Sequence, residues 1–219
     1  MTSRPIGDGI SPMKQLAIII PVKAPEEGKS RLAGVLSAGD RQALNWRLLA
    51  HTLDQAAALA DMAEVIVVSK SPDVLAEVAA RGLSACVEPD GCDLNGALAF
   101  GAGYAQATGA REIMVLPVDL PWLSSHQLRQ LVEDSRAECD VAIIADRNHC
   151  GTNLLLWRPA ASARFHYGIG SAVRHAEIAA GLGLRVTVQK DARLSFDLDT
   201  PQDLEQWLRS DIAPIRRAG

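Results

Sequence analysis

Short apolar runs alternate along the chain with segments whose apolar residues recur at helical spacing. The runs are short enough to be strands buried on both faces of a sheet. They predict strands at Leu16–Val22 and at residues 64–69, 84–88, 112–118, 140–145, 154–157, 184–188 and 193–201. The segments between them predict helices at residues 40–59, 71–81, 96–108 and 124–136, one opening at residues 168–171 and one after Thr200. This alternation indicates a single-domain α/β sandwich with a mostly parallel sheet.

The run at residues 112–121 passes from apolar residues to one carboxylate, Asp119, and stops at Pro121. In an open α/β sheet such a residue lies just beyond the carboxyl end of a strand, where ligands bind. An ionised Asp at that depth is costly unless a cation pairs with it, and oxygen ligands suit Mg²⁺. Asp119 is therefore a candidate metal ligand. A helix N-cap ahead of residues 122–124 is the competing interpretation.

Two further carboxylates, Asp197 and Asp199, alternate on the last predicted strand. Side chains two residues apart on a strand project from one face, and two aspartates there repel each other unless a cation joins them. This pair is a second candidate for a metal site. Thr200 and Pro201 after it predict the cap and the first turn of the final helix.

Three cations, Lys23, Lys29 and Arg31, lie in the loop after the first strand. The triplet at residues 28–30 is similar to part of a Walker A loop, but that motif needs a glycine where this chain has Lys23. The loop can still bind a triphosphate through its charge and its backbone N–H groups. A solvated charged loop is the alternative.

Two predicted helix starts are candidates for contact with a nucleotide or another anion. Asn95, which small residues follow, can face a base or a phosphate, or it can cap its helix. Gly168, Gly170 and Ser171 combine flexible backbone, free N–H groups and a hydroxyl, a pattern typical of anion capture. A loop with Ser171 as a plain N-cap fits the same pattern.

Composition narrows the class of protein. The 219 residues suit one core, and we expect loose tails at residues 1–13 and 210–219 around a domain at residues 14–209. A formal net charge of −4 argues against a general binder of nucleic acid or of membrane surfaces. No apolar run has the length of a membrane span or of a signal peptide core. The four cysteines form no Cys-x-x-Cys pair, so we expect free thiols in a cytosolic protein.

Five motifs occur in the order seen in a known family. They are the first loop (residues 21–32), Asp119-Leu-Pro, Gly151-Thr-Asn, Gly168-x-Gly-Ser with His175, and Asp197-x-Asp-Thr-Pro-x-Asp-Leu. Together they resemble the guanylyltransferase family of coenzyme F420 biosynthesis, which includes 2-phospho-L-lactate and phosphoenolpyruvate guanylyltransferases. The likeness runs from about residue 16 to residue 208. It implies a three-layer nucleotidyltransferase variant of the glycosyltransferase-A sandwich, with a mixed sheet flanked by helices.

The resemblance also implies an activity and roles for single residues. GMP would pass from GTP to the phosphate of a small phosphorylated carboxylic acid, with release of pyrophosphate and with Mg²⁺ as the cofactor. The metal would be held by Asp119, Asp197 and Asp199. The acceptor's phosphate and carboxylate would be received by Thr152, Gly168 and Ser171, the GTP phosphates by Lys23, Lys29 and Arg31, and the nucleoside by Asn95. No protein nucleophile is needed, because a phosphate is already ionised near neutral pH.

The identity of the acceptor acid rests on two segments that depart from the family's simpler, glycine-containing sequence. They are residues 90–93 and the pair His149-Cys150, and both are expected to border the acceptor or nucleoside pocket. A longer acid with an extra hydroxyl needs different contacts, so we expect a slight preference for 3-phospho-D-glycerate over 2-phospho-L-lactate and phosphoenolpyruvate. The next transferase of the F420 pathway would take up the product and is a candidate partner. The alternatives are a molybdenum-cofactor or sugar-nucleotide enzyme of this fold and a non-catalytic nucleotide-binding protein.

Overall fold

The computed structural model of the protein describes residues 14–210, so the predicted tails at residues 1–13 and 210–219 lie outside the described residues, except for Ser210. Within that range, strands and α-helices alternate as the sequence predicts. The elements are β1 (Leu16–Val22), α1 (Ala38–Ala57), β2 (Ala63–Ser69), α2 (Pro72–Ala80), β3 (Ser84–Val87), α3 (Leu94–Ala107), β4 (Glu112–Val115), α4 (Ser125–Glu138), β5 (Val141–Ala145), β6 (Thr152–Trp157), α5 (Ser171–Gly181), β7 (Val186–Gln189) and α6 (Pro201–Arg209). Two 3₁₀ turns lie at Ser30–Leu32 and Ala160–Ser162.

The strands form one seven-stranded sheet in the order β3-β2-β1-β4-β6-β5-β7. Neighbouring strands are parallel except at β6, which runs antiparallel to both β4 and β5. The predicted mixed, mostly parallel sheet is therefore confirmed. Because β6 runs in the opposite direction, its first residue, Thr152, lies at the edge where β4 and β5 end.

Each face of the sheet buries its own apolar layer, and β1 contributes to both. Its residues Leu16, Ile18, Ile20 and Val22 pack with α1, α2 and α4, whereas Ala17 and Ile19 pack with α3 and α5. This division gives the three-layer sandwich that the sequence predicts. None of the helices within residues 14–210 has the length and the apolar character needed to cross a bilayer.

The strand predicted at residues 193–201 is wrong, because the segment is irregular and pairs with no strand of the described sheet. Leu194, Phe196 and Leu198 are all buried, which gives the segment the alternating pattern of a strand. Phe196 and Leu198 belong instead to a third apolar cluster, in which they pack against Leu32, Leu44, Leu48 and Trp207. That cluster ties the segment to the loop after β1 and to α1 and α6.

Side-chain caps place the helix starts differently from some of the predicted ones. Ser37 caps α1, so that helix begins before Asp40, and Asp93 rather than Asn95 caps α3. Gly170 occupies the N-cap position of α5, which leaves Ser171 as the first helical residue. The cap predicted at Thr200 is confirmed as a capping box, in which Thr200 and Asp203 bond each other's backbone N–H groups.

Candidate active site

A cleft of about 680 Å³ opens at the edge of the sheet where β1 and β4 end. Its walls come from the loop after β1, the start of α3, the segment after β4, the start of β6, Tyr167 and the segment that leads into α6. The predicted site residues that line it are Lys23, Lys29, Arg31, Asp119, Thr152, Asp197 and Asp199. The topology therefore brings together carboxylates and cations from three separate stretches of chain, and the Thr152 hydroxyl from a fourth.

The buried ammonium of Lys29 joins two of the three carboxylates. Its Nζ lies 2.9 Å from Asp199 Oδ1 and 3.4 Å from Asp119 Oδ2, and the lysine side chain is only 8% exposed. Burial alone would lower the pKa of Lys29, but the attraction of Asp119 and Asp199 outweighs it and leaves that pKa above its ordinary value. Lys29 is therefore a fixed positive charge at the centre of the acidic group.

The third carboxylate, Asp197, makes no ion pair within residues 14–210. Burial raises the pKa of Asp197, and repulsion from Asp119 and Asp199 raises it further. Lys29 is thus shared by Asp119 and Asp199, whereas the charge of Asp197 is balanced by no ion pair among the described residues.

The donor chemistry of this acidic group fits Mg²⁺, which prefers carboxylate oxygens. The side chains are not gathered into a finished coordination shell: among the described residues no group of three or more His, Cys, Asp or Glu is arranged to hold a metal ion. Lys29 lies between Asp119 and Asp199 in the space that a shared cation would use. Asp119, Asp197 and Asp199 are the residues that would hold such a cation, and it would supply positive charge beside the buried carboxylates.

Asp203 and Arg147 hold the segment that carries Asp197 and Asp199, and sequence reasoning assigned no site role to either. One oxygen of Asp203 accepts hydrogen bonds from the backbone N–H groups of Asp199 (3.0 Å) and Thr200 (2.7 Å), and the other accepts from Arg147 (2.6 Å). Arg147 also donates to the carbonyl oxygen of Asp197. Burial alone would raise the pKa of Asp203, but these hydrogen bonds outweigh it and hold the pKa below its usual value. The capping-box spacing could have indicated Asp203, whereas nothing in the sequence pairs Arg147 with it.

The loop after β1 is packed closely onto α1. Gly28 has no side chain, and a Cβ there would lie only 2.6 Å from Asn45 Nδ2. That amide nitrogen donates a hydrogen bond to the carbonyl oxygen of Pro25. Lys29 follows in the left-handed region with φ of 56° and opens the 3₁₀ turn. Lys23 and Arg31 are exposed at the rim of the cleft, and the Arg31 guanidinium lies 3.8 Å from Asp199 Oδ2.

The residues predicted for the acceptor and the nucleoside are only partly at the cleft surface. Thr152 lines it, whereas Gly168, Ser171 and Asn95 do not. Ser171 is buried, and its Oγ has no hydrogen-bond partner within the described residues. Asn95 uses both ends of its amide on the backbone of Tyr167: Oδ1 accepts from the N–H at 2.7 Å, and Nδ2 donates to the carbonyl at 3.2 Å. Asn95 thus holds Tyr167, which does line the cleft.

Comparison with known proteins shows the family of the chain. A family model described as guanylyl transferase CofC like matches residues 16–209. The chain belongs to the CofC-like guanylyltransferase family. The predicted resemblance is confirmed, and so is the assignment of the chain as a nucleotidyltransferase.

Named relatives of this CofC-like chain span nearly its whole length. It is 36% identical over 188 residues to a phosphoenolpyruvate guanylyltransferase of Sphaerobacter thermophilus, a match that covers 86% of this chain and 90% of the relative. It is 35% identical over 193 residues to a 2-phospho-L-lactate guanylyltransferase of Methanothermobacter thermautotrophicus, covering 88% and 83%. Among solved structures, a putative nucleotide-diphospho-sugar transferase from Desulfovibrio desulfuricans G20 aligns with a TM-score of 0.73 at 19% identity, covering 92% of this chain and 93% of that one. This structural likeness confirms the nucleotidyltransferase fold.

Proposed function

We propose that the protein transfers GMP from GTP to the phosphate of a small phosphorylated carboxylic acid and releases pyrophosphate. The observation that carries this proposal is the pairing of Lys29 with Asp119 and Asp199, close to Asp197, in a cleft that Thr152 also lines. The main difficulty of the reaction is to bring two polyanions together, and carboxylates that hold a divalent cation would answer it. The names of the family relatives support the guanylyl donor.

The reaction needs in-line attack by an acceptor phosphate oxygen on the α-phosphorus of GTP. One oxygen–phosphorus bond forms, the bond to the β-phosphate bridge breaks, and pyrophosphate leaves with the electron pair. Lys29, Lys23 and Arg31 line the cleft and would stabilise the charge that develops on the pyrophosphate. The acceptor needs no general base, since its phosphate is already ionised near neutral pH.

Asp119, Asp197 and Asp199 would hold Mg²⁺, which, when bound, supplies a positive charge for the reacting phosphate oxygens. The rest of the positioning belongs to the chain itself. Asp203 and Arg147 fix the backbone that presents Asp197 and Asp199. Asn95 fixes Tyr167, so we expect Asn95 to act on the nucleoside side through that residue rather than by direct contact.

Three acids are candidates for the acceptor. Phosphoenolpyruvate and 2-phospho-L-lactate are supported by the names of the relatives. The preference expected for 3-phospho-D-glycerate is supported only by the unusual segments at residues 90–93 and 149–150, of which Cys92 and Asp93 line the cleft. In each case the product would be a guanylyl-diphospho acid, suited to a following transferase of F420 biosynthesis.

The test is a direct one. Purified protein is incubated with GTP, Mg²⁺ and each acid separately, pyrophosphate release is followed with time, and the guanylylated product is identified by mass spectrometry. We expect pyrophosphate and product with at least one acid, loss of both with Asp119→Asn, and slower reaction with ATP in place of GTP. GTP-dependent thermal stabilisation with no turnover of any acid would favour a nucleotide-binding protein. Pyrophosphate release with sugar phosphates alone would favour the sugar-nucleotide alternative.

A further inference from the structure

A chain of two hydrogen bonds runs behind the cleft through the imidazole of His175, which is completely buried on α5. The backbone N–H of His166 donates to His175 Nε2 at 2.9 Å. On the other side of the ring, Nδ1 lies 3.0 Å from Thr152 Oγ1 at the start of β6. Of the residues joined by these two hydrogen bonds, Thr152 is the one that lines the cleft.

The direction of both bonds follows from the chemistry of the groups. A backbone amide can only donate, so Nε2 must be the unprotonated nitrogen of the ring. A neutral imidazole then carries its proton on Nδ1 and must donate it to Thr152 Oγ1. Burial, together with the nearby charges of His166 and Arg174, lowers the pKa of His175 to about 4, which keeps the ring neutral near pH 7.

These bond directions leave the hydroxyl hydrogen of Thr152 unused. Because Thr152 Oγ1 accepts from His175, the Thr152 hydroxyl can donate its hydrogen to another group. Within residues 14–210 no other hydrogen-bond partner of this hydroxyl is found, and the residue is 8% exposed toward the cleft. A nearly buried donor of this kind suits an oxygen acceptor, and an anionic one gains most from it.

We propose that His175 is a positioning residue that fixes the Thr152 hydroxyl as a hydrogen-bond donor to an anionic oxygen of the acceptor acid. This inference rests on the proposed function and deepens it, since it names how one wall of the cleft selects a phosphorylated acid. It also explains why a histidine occupies a position with no access to the cleft. Its effect on substrate is exerted entirely through Thr152.

A double-mutant cycle separates this role from a general packing role. Thr152→Val removes the hydroxyl at nearly constant shape, and His175→Leu removes the donor behind it. A hydrogen bond to a charged group is worth about 1.5–3 kcal/mol, so each change should raise the KM for the acceptor acid by roughly 10- to 100-fold while the KM for GTP stays near the wild-type value. The double variant should be no worse than the worse single variant, because both remove one interaction. Effects that multiply, or a KM for GTP that rises in parallel, would overturn the proposal.

A conservative replacement adds a rescue test. His175→Asn places an amide N–H₂ close to the position of Nδ1, so it can still donate to Thr152. Its KM for the acceptor should lie nearer to the wild-type value than that of His175→Leu. An Asn variant as impaired as the Leu variant would speak against a role for the donated proton.

A second measurement on the unchanged protein guards against variants that fail to fold. Nitrogen-15 NMR of histidine-labelled wild-type protein at pH 7.5, with the ring of His175 assigned through its own backbone resonances, should show a protonated Nδ1 and an unprotonated Nε2. A proton on Nε2, or on both nitrogens, would overturn the proposal that His175 fixes the Thr152 hydroxyl. If the wild type turns over no acid, the proposed function fails. The NMR result still decides separately whether Nδ1 of His175 donates to Thr152.

Discussion

The backbone N–H of Leu198 donates a hydrogen bond to the carbonyl oxygen of Asp119 over 3.0 Å. This bond joins the segment that follows β4 to the segment that leads into α6. It brings Asp119 beside the two aspartates that flank Leu198, and Leu198 itself is anchored in the apolar cluster with Leu32 and Trp207. The fold therefore imposes the closeness of three like charges, and it does so through backbone bonding and apolar packing rather than through the carboxylates themselves.

Replacing Asp197 should separate stability from activity. Because burial and neighbouring carboxylates raise the pKa of Asp197, its charged form opposes folding at neutral pH. We expect Asp197→Asn to unfold at the same urea concentration as the wild type or a higher one, and to lose turnover by about 100-fold or more. Urea unfolding and pyrophosphate release measure the two effects. A variant that is clearly less stable would show that Asp197 is held by favourable contacts instead.

Removing Lys29 should make the protein depend on a divalent cation for stability. Lys29→Met leaves Asp119 and Asp199 without their shared ammonium, which should lower the free energy of unfolding by about 2 kcal/mol in EDTA. Adding Mg²⁺ should then raise the melting temperature of the variant more than that of the wild type, because the cation can enter the space that Lys29 leaves.

The matched control for Lys29 is Lys23→Met in the same loop, since Lys23 is exposed and makes no ion pair within residues 14–210. It should leave the melting temperature unchanged in EDTA and respond to Mg²⁺ like the wild type. Equal responses of all three proteins to Mg²⁺ would contradict a cation site at Asp119 and Asp199.

Asp203 should prove important for both stability and turnover although it does not line the cleft. Asp203→Ala removes the acceptor of three hydrogen bonds and leaves the Arg147 guanidinium without its carboxylate. We expect a loss of about 3 kcal/mol in unfolding free energy and a fall in turnover as the segment with Asp199 loosens. Glu205→Ala, which removes only an exposed pair with Arg209 on the same helix, should cost less than about 0.5 kcal/mol. Similar losses of unfolding free energy in the two variants would show that the hydrogen bonds of Asp203 contribute no more to stability than an exposed ion pair.

Sequence patterns predicted the sheet well where a strand's side chains are uniformly apolar. Leu16–Val22 is predicted with its observed limits, since both its faces are covered and a charged loop follows. The pattern failed at Thr152 and Asn153, which belong to β6 although they look like the end of a polar loop. It failed at residues 193–201 for the opposite reason, because burial in an apolar cluster gave an irregular segment the period of a strand.

The site was predictable in its charges and not in its internal bonding. Asp93 and Asn95 both suit a helix cap. Only the structure shows that Asp93 caps α3, whereas the side chain of Asn95 hydrogen-bonds to the backbone of Tyr167. The pairs formed by Arg147 with Asp203 and by Thr152 with His175 join residues far apart in the chain. Residue type alone does not predict these pairs, because they form only when the folded sheet brings distant segments together at its edge.

The buried His175 should give the protein a recognisable dependence of stability on pH. Its pKa is lowered from 6.5 to about 4 on folding. Between these two pH values the unfolded chain therefore binds a proton at His175 that the folded chain does not bind. The stability is fully present above about pH 6.5, and as pH falls toward 4 up to roughly 3 kcal/mol is lost. Unfolding free energies measured in urea between pH 4 and pH 7.5 should show this decline.

His175→Asn removes the titrating ring, so the decline between pH 6.5 and pH 4 should become shallower even if the variant is less stable at pH 7. His126→Asn on α4 is the matched control, because that histidine is exposed, and its pH profile should follow the wild type. A His175→Asn profile with the wild-type slope would place the acid sensitivity elsewhere.

Two glycines of α3 should respond to alanine in opposite directions. A Cβ at Gly101 would lie 2.9 Å from methyl groups of both Ile19 and Val68 in the sheet, whereas a Cβ at Gly103 would meet nothing within 4 Å. Gly101→Ala should therefore destabilise the protein by about 1–3 kcal/mol through overpacking. Gly103→Ala should stabilise it by roughly 0.5–1 kcal/mol, because alanine lowers the entropy lost when a helix interior forms. Both glycines lie away from the cleft lining, so turnover at a temperature where each variant is folded should stay near the wild-type value. Stabilisation by both changes would mean that α3 can move off the sheet at no cost, in conflict with the close packing of Gly101.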